Sequence, residues 1–196
     1  MDSPELLWEA SSRAVISCSG TQQIPGPWQL MLLGDGSPTR HLHLLTGHSV
    51  KIKLITMQKE SKISQGAPIE VQELDLPLLR RQVWLICGNQ TLAWAESWWN
   101  YEEAKKHLQN KNQTIWQSLT QGRSELFREV DGLALANASW LESEFNQAGP
   151  FWSRHYRFFR NEKELTVIRE VFSPLLEKWI GPISRSQSLF TEIGSN

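Results

Sequence analysis

Two charged side chains fall where strand alternation places apolar neighbours. In 78–99, LLRRQVWLICGNQTLAWAESWW, an extended backbone sends Arg81, Val83 and Leu85 to one face and Gln82, Trp84 and Ile86 to the other. In 166–172, TVIREVF, Thr166, Ile168, Glu170 and Phe172 share a face. A buried charge costs several kcal/mol unless something answers it. Arg81 and Glu170 must therefore meet each other, meet a ligand, or lie at an exposed edge. A structural ion pair is one reading. The other is a site for a small anionic molecule: a guanidinium is a planar fork that fits a carboxylate, and a carboxyl group on an apolar face suits proton transfer.

The elements that must hold this pair can be read along the chain. Gly88-Asn89 supplies turn chemistry, so 78–99 is a hairpin whose return arm puts Thr91, Ala93, Ala95 and Ser97 on one face and Leu92, Trp94, Glu96 and Trp98 on the other. Residues 1–26 read as a polar, loosely ordered lead with a short helix near 4–10. PWQLMLLGDG is helical or buried extended, closing at Gly34-Asp35-Gly36. Ser37 as N-cap, Pro38 at the first helical position and Gly47 as stop predict a helix over 38–46. VKIKLITMQ (50–58) alternates as a half-exposed strand.

After Trp99, 101–119 reads as a helix followed by a second short helical piece, with Ala104 and Leu108 inward. SELFREVDGLALANASWL mixes extended and helical signals. Residues 149–172 form a second hairpin turning at Asn161-Glu162, Pro174 ends it, a short helix or coil follows, and the last ten residues are loose. Five or six strands without βαβ alternation make an α+β fold: one domain, a mainly antiparallel sheet flanked by helices. The expected division is 1–27 lead, 28–182 domain and 183–196 tail.

Composition narrows the function. The 196 residues are 40% hydrophobic and 21% charged, with net charge -1, so no basic field invites nucleic acid. Ten tryptophans are many; most should be core, and a group at 94, 98 and 99 could wall a pocket. Cys18 and Cys87 form neither a disulfide framework nor a zinc site. The acidic start lacks a signal-peptide core and no run reaches 18 apolar residues, so the expectation is a cytoplasmic protein with no membrane span. Three sequons, at Asn89, Asn112 and Asn137, read as coincidence in that compartment. Gly34-Asp35-Gly36-Ser37 lacks phosphate-loop spacing, no nucleophile elbow occurs, and His41 and His43 point apart on a helix, so no metal or cofactor is expected.

The ordered segments LMLLGDGSPTRHL, VKIKLITMQ, LLRRQVWLICGNQTLAWAESWW, TIWQSL, FWSRHYRF and VIREVFSP resemble the chorismate lyase family, also called chorismate pyruvate-lyase or 4-hydroxybenzoate synthase, in its cyanobacterial and plastid-type branch. The resemblance covers roughly 28–176. It implies a chorismate lyase-like antiparallel sheet with the ligand enclosed under helical flaps. It also implies cofactor-free elimination of pyruvate from chorismate, giving 4-hydroxybenzoate for a quinone, plastoquinone by branch.

By position, Arg81 matches the arginine that grips a substrate carboxylate, and Glu170 the essential glutamate near the scissile ether. Ala95 matches a small residue against the ligand. Thr114 and Ile115 match the dipeptide that closes over the acid, and Ser37, Pro38 and Thr39 match the segment capping the other side. Arg128 and Arg154 match basic positions common in the family. Pro38 replaces a frequent methionine, Trp116 a frequent glycine, and Trp98-Trp99 a smaller aliphatic pair. The implied partners are chorismate and 4-hydroxybenzoate, with the protein a monomer. A second function class uses the same fold: a non-catalytic, small-acid-sensing module of a transcription regulator. Against it, no DNA-binding segment is found before residue 28, and a sensor has no need for Glu170 beside Arg81.

Overall fold

The structure, a computed structural model, describes residues 4–17, 24–108, 115–120 and 125–183. Its frame is a seven-stranded antiparallel sheet in the order β1-β5-β6-β7-β4-β3-β2. The strands are β1 Glu5–Ser11, β2 Val50–Glu60, β3 Leu78–Cys87, β4 Gln90–Asn100, β5 Phe127–Asn137, β6 Phe151–Arg160 and β7 Lys163–Phe172. The helices are α1 Ser12–Ile16, α2 Gly26–Leu33, α3 Pro38–Thr46, α4 Tyr101–His107, α5 Ile115–Thr120, α6 Ser139–Phe145 and α7 Glu177–Ile180.

Both expected hairpins form: β3 and β4 pair around Gly88-Asn89, and β6 and β7 around Asn161-Glu162, whose φ angles are 51° and 62°. A register shift at Leu85/Ile86 leaves Leu92 without a partner residue and packs it with Ala93 in the cluster under α2 and α3, not on the face of Trp94 as alternation had placed it. The helix expected over 38–46 is α3, closed by Gly47 at φ 71°, a left-handed cap that a residue without Cβ adopts freely.

The sheet separates two apolar layers. On one face, α2 and α3 bury Trp28, Met31, Leu32 and Leu42 against Val83, Leu85, Trp152 and Phe172. Beside them, α4 and α5 bury Ala104 and Leu119 against Trp99, Tyr156, Phe158 and Ile168. On the other face, α6 packs Leu141 and Phe145 on Trp84, Trp94 and Phe151, and the segment around the 3-10 turn Ile69–Glu73 covers Trp98 and Val167.

Two expectations are corrected. The lead read as loose, with a helix near 4–10, holds β1 and α1 instead; β1 pairs with β5 as an edge strand, and Trp8 lies edge-on to Trp152 at 5.5 Å. The ambiguous segment after 124 is one 11-residue strand, β5, followed by α6. Both errors concern contacts made far along the chain: β5 is defined by partners on either side, not by its own alternation, which a register shift at Val130/Gly132 interrupts. The piece of the expected helical run at 109–114 and the last ten residues lie outside the described residues.

Candidate active site

A row of directly paired residues crosses the helix-covered face: Leu54, Val83, Ala95, Glu170, Arg154 and Leu133. The adjoining row on that face runs Met57, Arg81, Ser97, Ile168, Tyr156 and Val130. Arg81 and Glu170 therefore lie on the same buried face, two strands and one row apart. Both are nearly inaccessible, at 3% and 2%.

The two do not form the ion pair the sequence left open. Glu170 is answered by its directly opposed neighbour: Arg154 Nε donates to Glu170 Oε2 at 2.8 Å, with the Arg154 side chain fully buried. The Tyr156 hydroxyl donates to Glu170 Oε1 at 2.9 Å. Arg154 Nη1 also donates to the carbonyls of Met31 at 2.9 Å and Leu32 at 3.1 Å, at the C-terminal end of α2 where the helix dipole favours a cation. Burial, reinforced by the charge of Glu170, pushes the Tyr156 phenol far above its ordinary range, so it stands as a neutral donor. Burial alone pushes the Arg81 guanidinium down to about 10, still charged at neutral pH.

A cavity opens on this face, where the cluster under α2 and α3 meets the cluster under α4 and α5. Arg81, Val83, Ala95, Tyr156, Ile168 and Glu170 line it from the sheet; Ser37, Pro38 and Thr39 come from the start of α3, and Ile115 and Trp116 from α5. It holds about 430 Å³ measured out to its mouth. Among the described residues, its wall carries two guanidinia, Arg81 and Arg128, and one carboxyl, Glu170.

The loop entering α3 is tied down beside the cavity. Gly36 backs onto the His41 ring so closely that a Cβ there would lie 2.0 Å from Nε2, so any larger residue would have to displace the ring. Burial and the nearby guanidinia of Arg154 and Arg128 lower the His41 pKa, so this ring is neutral at neutral pH. Among the described residues no group of three or more His, Cys, Asp or Glu could hold a metal ion.

The structure brings Arg81, Ala95, Ile115, Pro38, Thr39 and Glu170 to one cavity, with Ser37 beside them. Thr114 lies outside the described residues. Trp94, Trp98 and Trp99 do not line the cavity. They alternate between faces and fill three separate apolar clusters, because neighbours on a strand cannot share a wall. Tyr156, and the pairing of Arg154 to Glu170, were missed. The signal was present: in FWSRHYRFF, Trp152, Arg154, Tyr156 and Phe158 share one face, which puts a charge among aromatics as in the strands of Arg81 and Glu170.

Comparison with known proteins agrees with this architecture. The family described as "Chorismate pyruvate-lyase Rv2949c-like" matches residues 32–180. The protein ycf21 of Cyanophora paradoxa is 32% identical over 174 residues, covering 88% of this chain and 90% of that protein. The ycf21 protein of Pyropia yezoensis is 34% identical over 159 residues, covering 80% of this chain and 86% of that one.

Among solved structures, the effector domain of PhnF from Mycobacterium smegmatis superposes with a TM-score of 0.55 at 13% identity, over 73% of this chain and 91% of that chain. The C-terminal domain of the histidine utilization repressor from Pseudomonas syringae gives 0.51 at 15% identity, over 73% of this chain and 99% of that one. At these identities the likeness is one of fold. Among the described residues, no helix is long and apolar enough to cross a membrane.

Proposed function

The chain belongs to the Rv2949c-like chorismate pyruvate-lyase family, and from that membership we propose that it is itself a chorismate pyruvate-lyase, eliminating pyruvate from chorismate to leave 4-hydroxybenzoate. The observation that carries this reading is that a buried carboxyl, Glu170, and a buried guanidinium, Arg81, stand apart on the wall of one otherwise largely apolar cavity. An apolar cleft with a few convergent polar groups is the usual form of a small-molecule site.

In this reading Arg81 holds the ring carboxylate through a bidentate, charge-assisted contact. The ring lies over Ala95, where the sheet presents only a methyl group between Val83 and Glu170. Glu170 faces the ether end. There it accepts the ring proton as the carbon–oxygen bond of the enolpyruvyl ether breaks, and the ring becomes aromatic. The enolate of pyruvate leaves, and the same carboxyl returns the proton to its methylene carbon. No net proton is gained or lost and no cofactor takes part.

Tyr156 and Arg154 fix both oxygens of Glu170, so the carboxyl meets the substrate already oriented. Pro38 and Thr39 on one side, and Ile115 on the other, close over the ring. Release of a product enclosed in this way is then a natural slow step. We place the product in quinone synthesis, plastoquinone by branch, and the protein in the cytoplasm as a monomer.

The fold shared with the PhnF effector domain favours one other reading, a domain that senses a small acid without cleaving it. Incubation with chorismate alone separates the two. Equal amounts of 4-hydroxybenzoate and pyruvate support the lyase. Binding of 4-hydroxybenzoate without formation of either product supports the sensor.

A further inference from the structure

We propose that Tyr156 is a catalytic residue as well as a support for Glu170: its hydroxyl passes its hydrogen bond from Glu170 to the departing enolate oxygen as the carbon–oxygen bond breaks. This deepens the lyase reading and rests on it.

Three observations point to it. The first is place. Tyr156 rises from β6 in the row next to that of Glu170 and lines the cavity. Its hydroxyl is 2.9 Å from Glu170 Oε1. In chorismate the ring hydrogen that is lost and the ether oxygen sit on adjacent carbons. A donor that touches the base is therefore within reach of the ether oxygen as well.

The second is how the ring is held. The Arg128 guanidinium lies 4.4 Å from its centroid and that of Arg154 5.1 Å, while Phe158 meets it edge-on at 5.5 Å. The ring is clamped, but a hydroxyl hydrogen turns about its carbon–oxygen bond to suit the acceptor. The donor can change partner without any movement of the ring.

The third is the path of the charge. Among the described residues the cavity wall carries three hydroxyls, those of Ser37, Thr39 and Tyr156. Ser37 and Thr39 hydrogen-bond to each other at 2.7 Å, whereas Tyr156 serves Glu170. In the step, the pair of the ring C–H bond becomes the new ring π bond and its proton goes to Glu170. The pair of the ether bond goes to the enolate oxygen. Negative charge thus leaves the group that Tyr156 serves and appears on the oxygen beside it. Burial and the charge of Glu170 keep the phenol protonated against the pull of Arg128 and Arg154, so it donates a hydrogen bond and gives up no proton. When Glu170 delivers its proton to the methylene carbon, the enolate becomes the ketone of pyruvate, the carboxylate is restored and the hydroxyl turns back. A donor aimed at charge that develops only in the transition state raises the rate rather than the affinity.

The test places 3-fluorotyrosine at position 156, whose phenol is the stronger donor, and compares it with Tyr156→Phe, which has none. Pyruvate formation is followed in a single turnover, so that slow product release does not mask the chemistry. Tyr156→Phe is expected to lower this rate by about 10²-fold, and 3-fluorotyrosine to raise it above the parent. A hydroxyl that only holds Glu170 predicts the opposite sign: the stronger donor grips the carboxylate more tightly, makes it a poorer base and slows the reaction. A slower or unchanged fluorotyrosine protein would overturn the inference, as would Tyr156→Phe within threefold of the parent. The fluorinated side chain keeps its ring and hydroxyl, so its result stands even where the Phe variant fails to fold. Pyruvate release by the unmutated protein tests the lyase reading separately. Its absence removes both claims, whereas turnover with the wrong fluorotyrosine response removes only the role of Tyr156.

Discussion

Replacing Glu170 by Gln separates its chemical role from its structural one. The amide keeps the volume and can keep the hydrogen bonds: its oxygen accepts from Arg154 Nε, and its NH2 faces the Tyr156 hydroxyl, which can turn to accept. What is lost is the negative charge opposite a fully buried guanidinium. Breaking a buried pair costs about 3–5 kcal/mol. Here Arg154 retains the carbonyls of Met31 and Leu32 at the end of α2, so the loss falls at or below the low end, about 2–3 kcal/mol. In a chain of this length that corresponds to a Tm lower by about 4–12 °C.

Turnover should fall much further, by about 10²–10⁴-fold, the usual contribution of a positioned proton-transfer group. The assay is kcat from simultaneous 4-hydroxybenzoate and pyruvate release, with thermal unfolding followed on the same preparation. A folded variant turning over within tenfold of the parent would refute the assignment of Glu170. An unchanged Tm would refute the claim that its charge is needed to balance Arg154.

Arg81→Ala should weaken 4-hydroxybenzoate binding by about 2–5 kcal/mol in a calorimetric titration, because a buried, charge-assisted contact is removed; unchanged affinity would contradict the placement of the ring carboxylate. Ala95→Leu puts a side chain where the sheet presents a methyl group between Val83 and Glu170. It should abolish acid binding while the near-ultraviolet circular dichroism of the fold persists, at a stability cost of about 1–3 kcal/mol.

On the far side of the sheet, burial raises the Glu164 pKa to about 7, partly offset by Arg157 at 3.7 Å and reinforced by Glu73 and Asp131. The folded state therefore holds a proton that the unfolded chain releases above its ordinary carboxylate pKa. Stability should fall as pH rises from about 4.5 to about 7 and level off above that. Glu164→Gln should flatten this slope in Tm measured across that range.

How far the site could be read in advance depended on whether its signals were local. Arg81 and Glu170 stood out because alternation within a single strand places each among apolar neighbours. Arg154 carried the same signal, but its meaning depended on register: only the pairing of β6 with β7 sets it opposite Glu170. The same rule also selects Glu96, which shares a face with Trp94 and Trp98. Glu96 is fully buried, yet it lies on the face away from the cavity. Its oxygens accept from Arg80, from Gln82 at 2.8 Å and from Arg169 at 2.5 Å, while Arg169 also donates to Gly66 O at 2.7 Å. That charge secures the segment 61–75 to the sheet. A misplaced charge thus reports a partner, and only the assembled sheet shows whether the partner is protein or ligand. The edge strand β1 and the bulged strand β5 were obscured for the same reason, since their identity comes from neighbours distant in sequence.

The most direct test of the central claim is a crystal structure with 4-hydroxybenzoate. The account predicts the ring over Ala95 in the cavity beneath α3 and α5, its carboxylate within hydrogen-bonding distance of the Arg81 guanidinium, and its hydroxyl directed toward Glu170 and Tyr156. A ligand bound outside this cavity, or seated with its carboxylate turned away from Arg81, would contradict it.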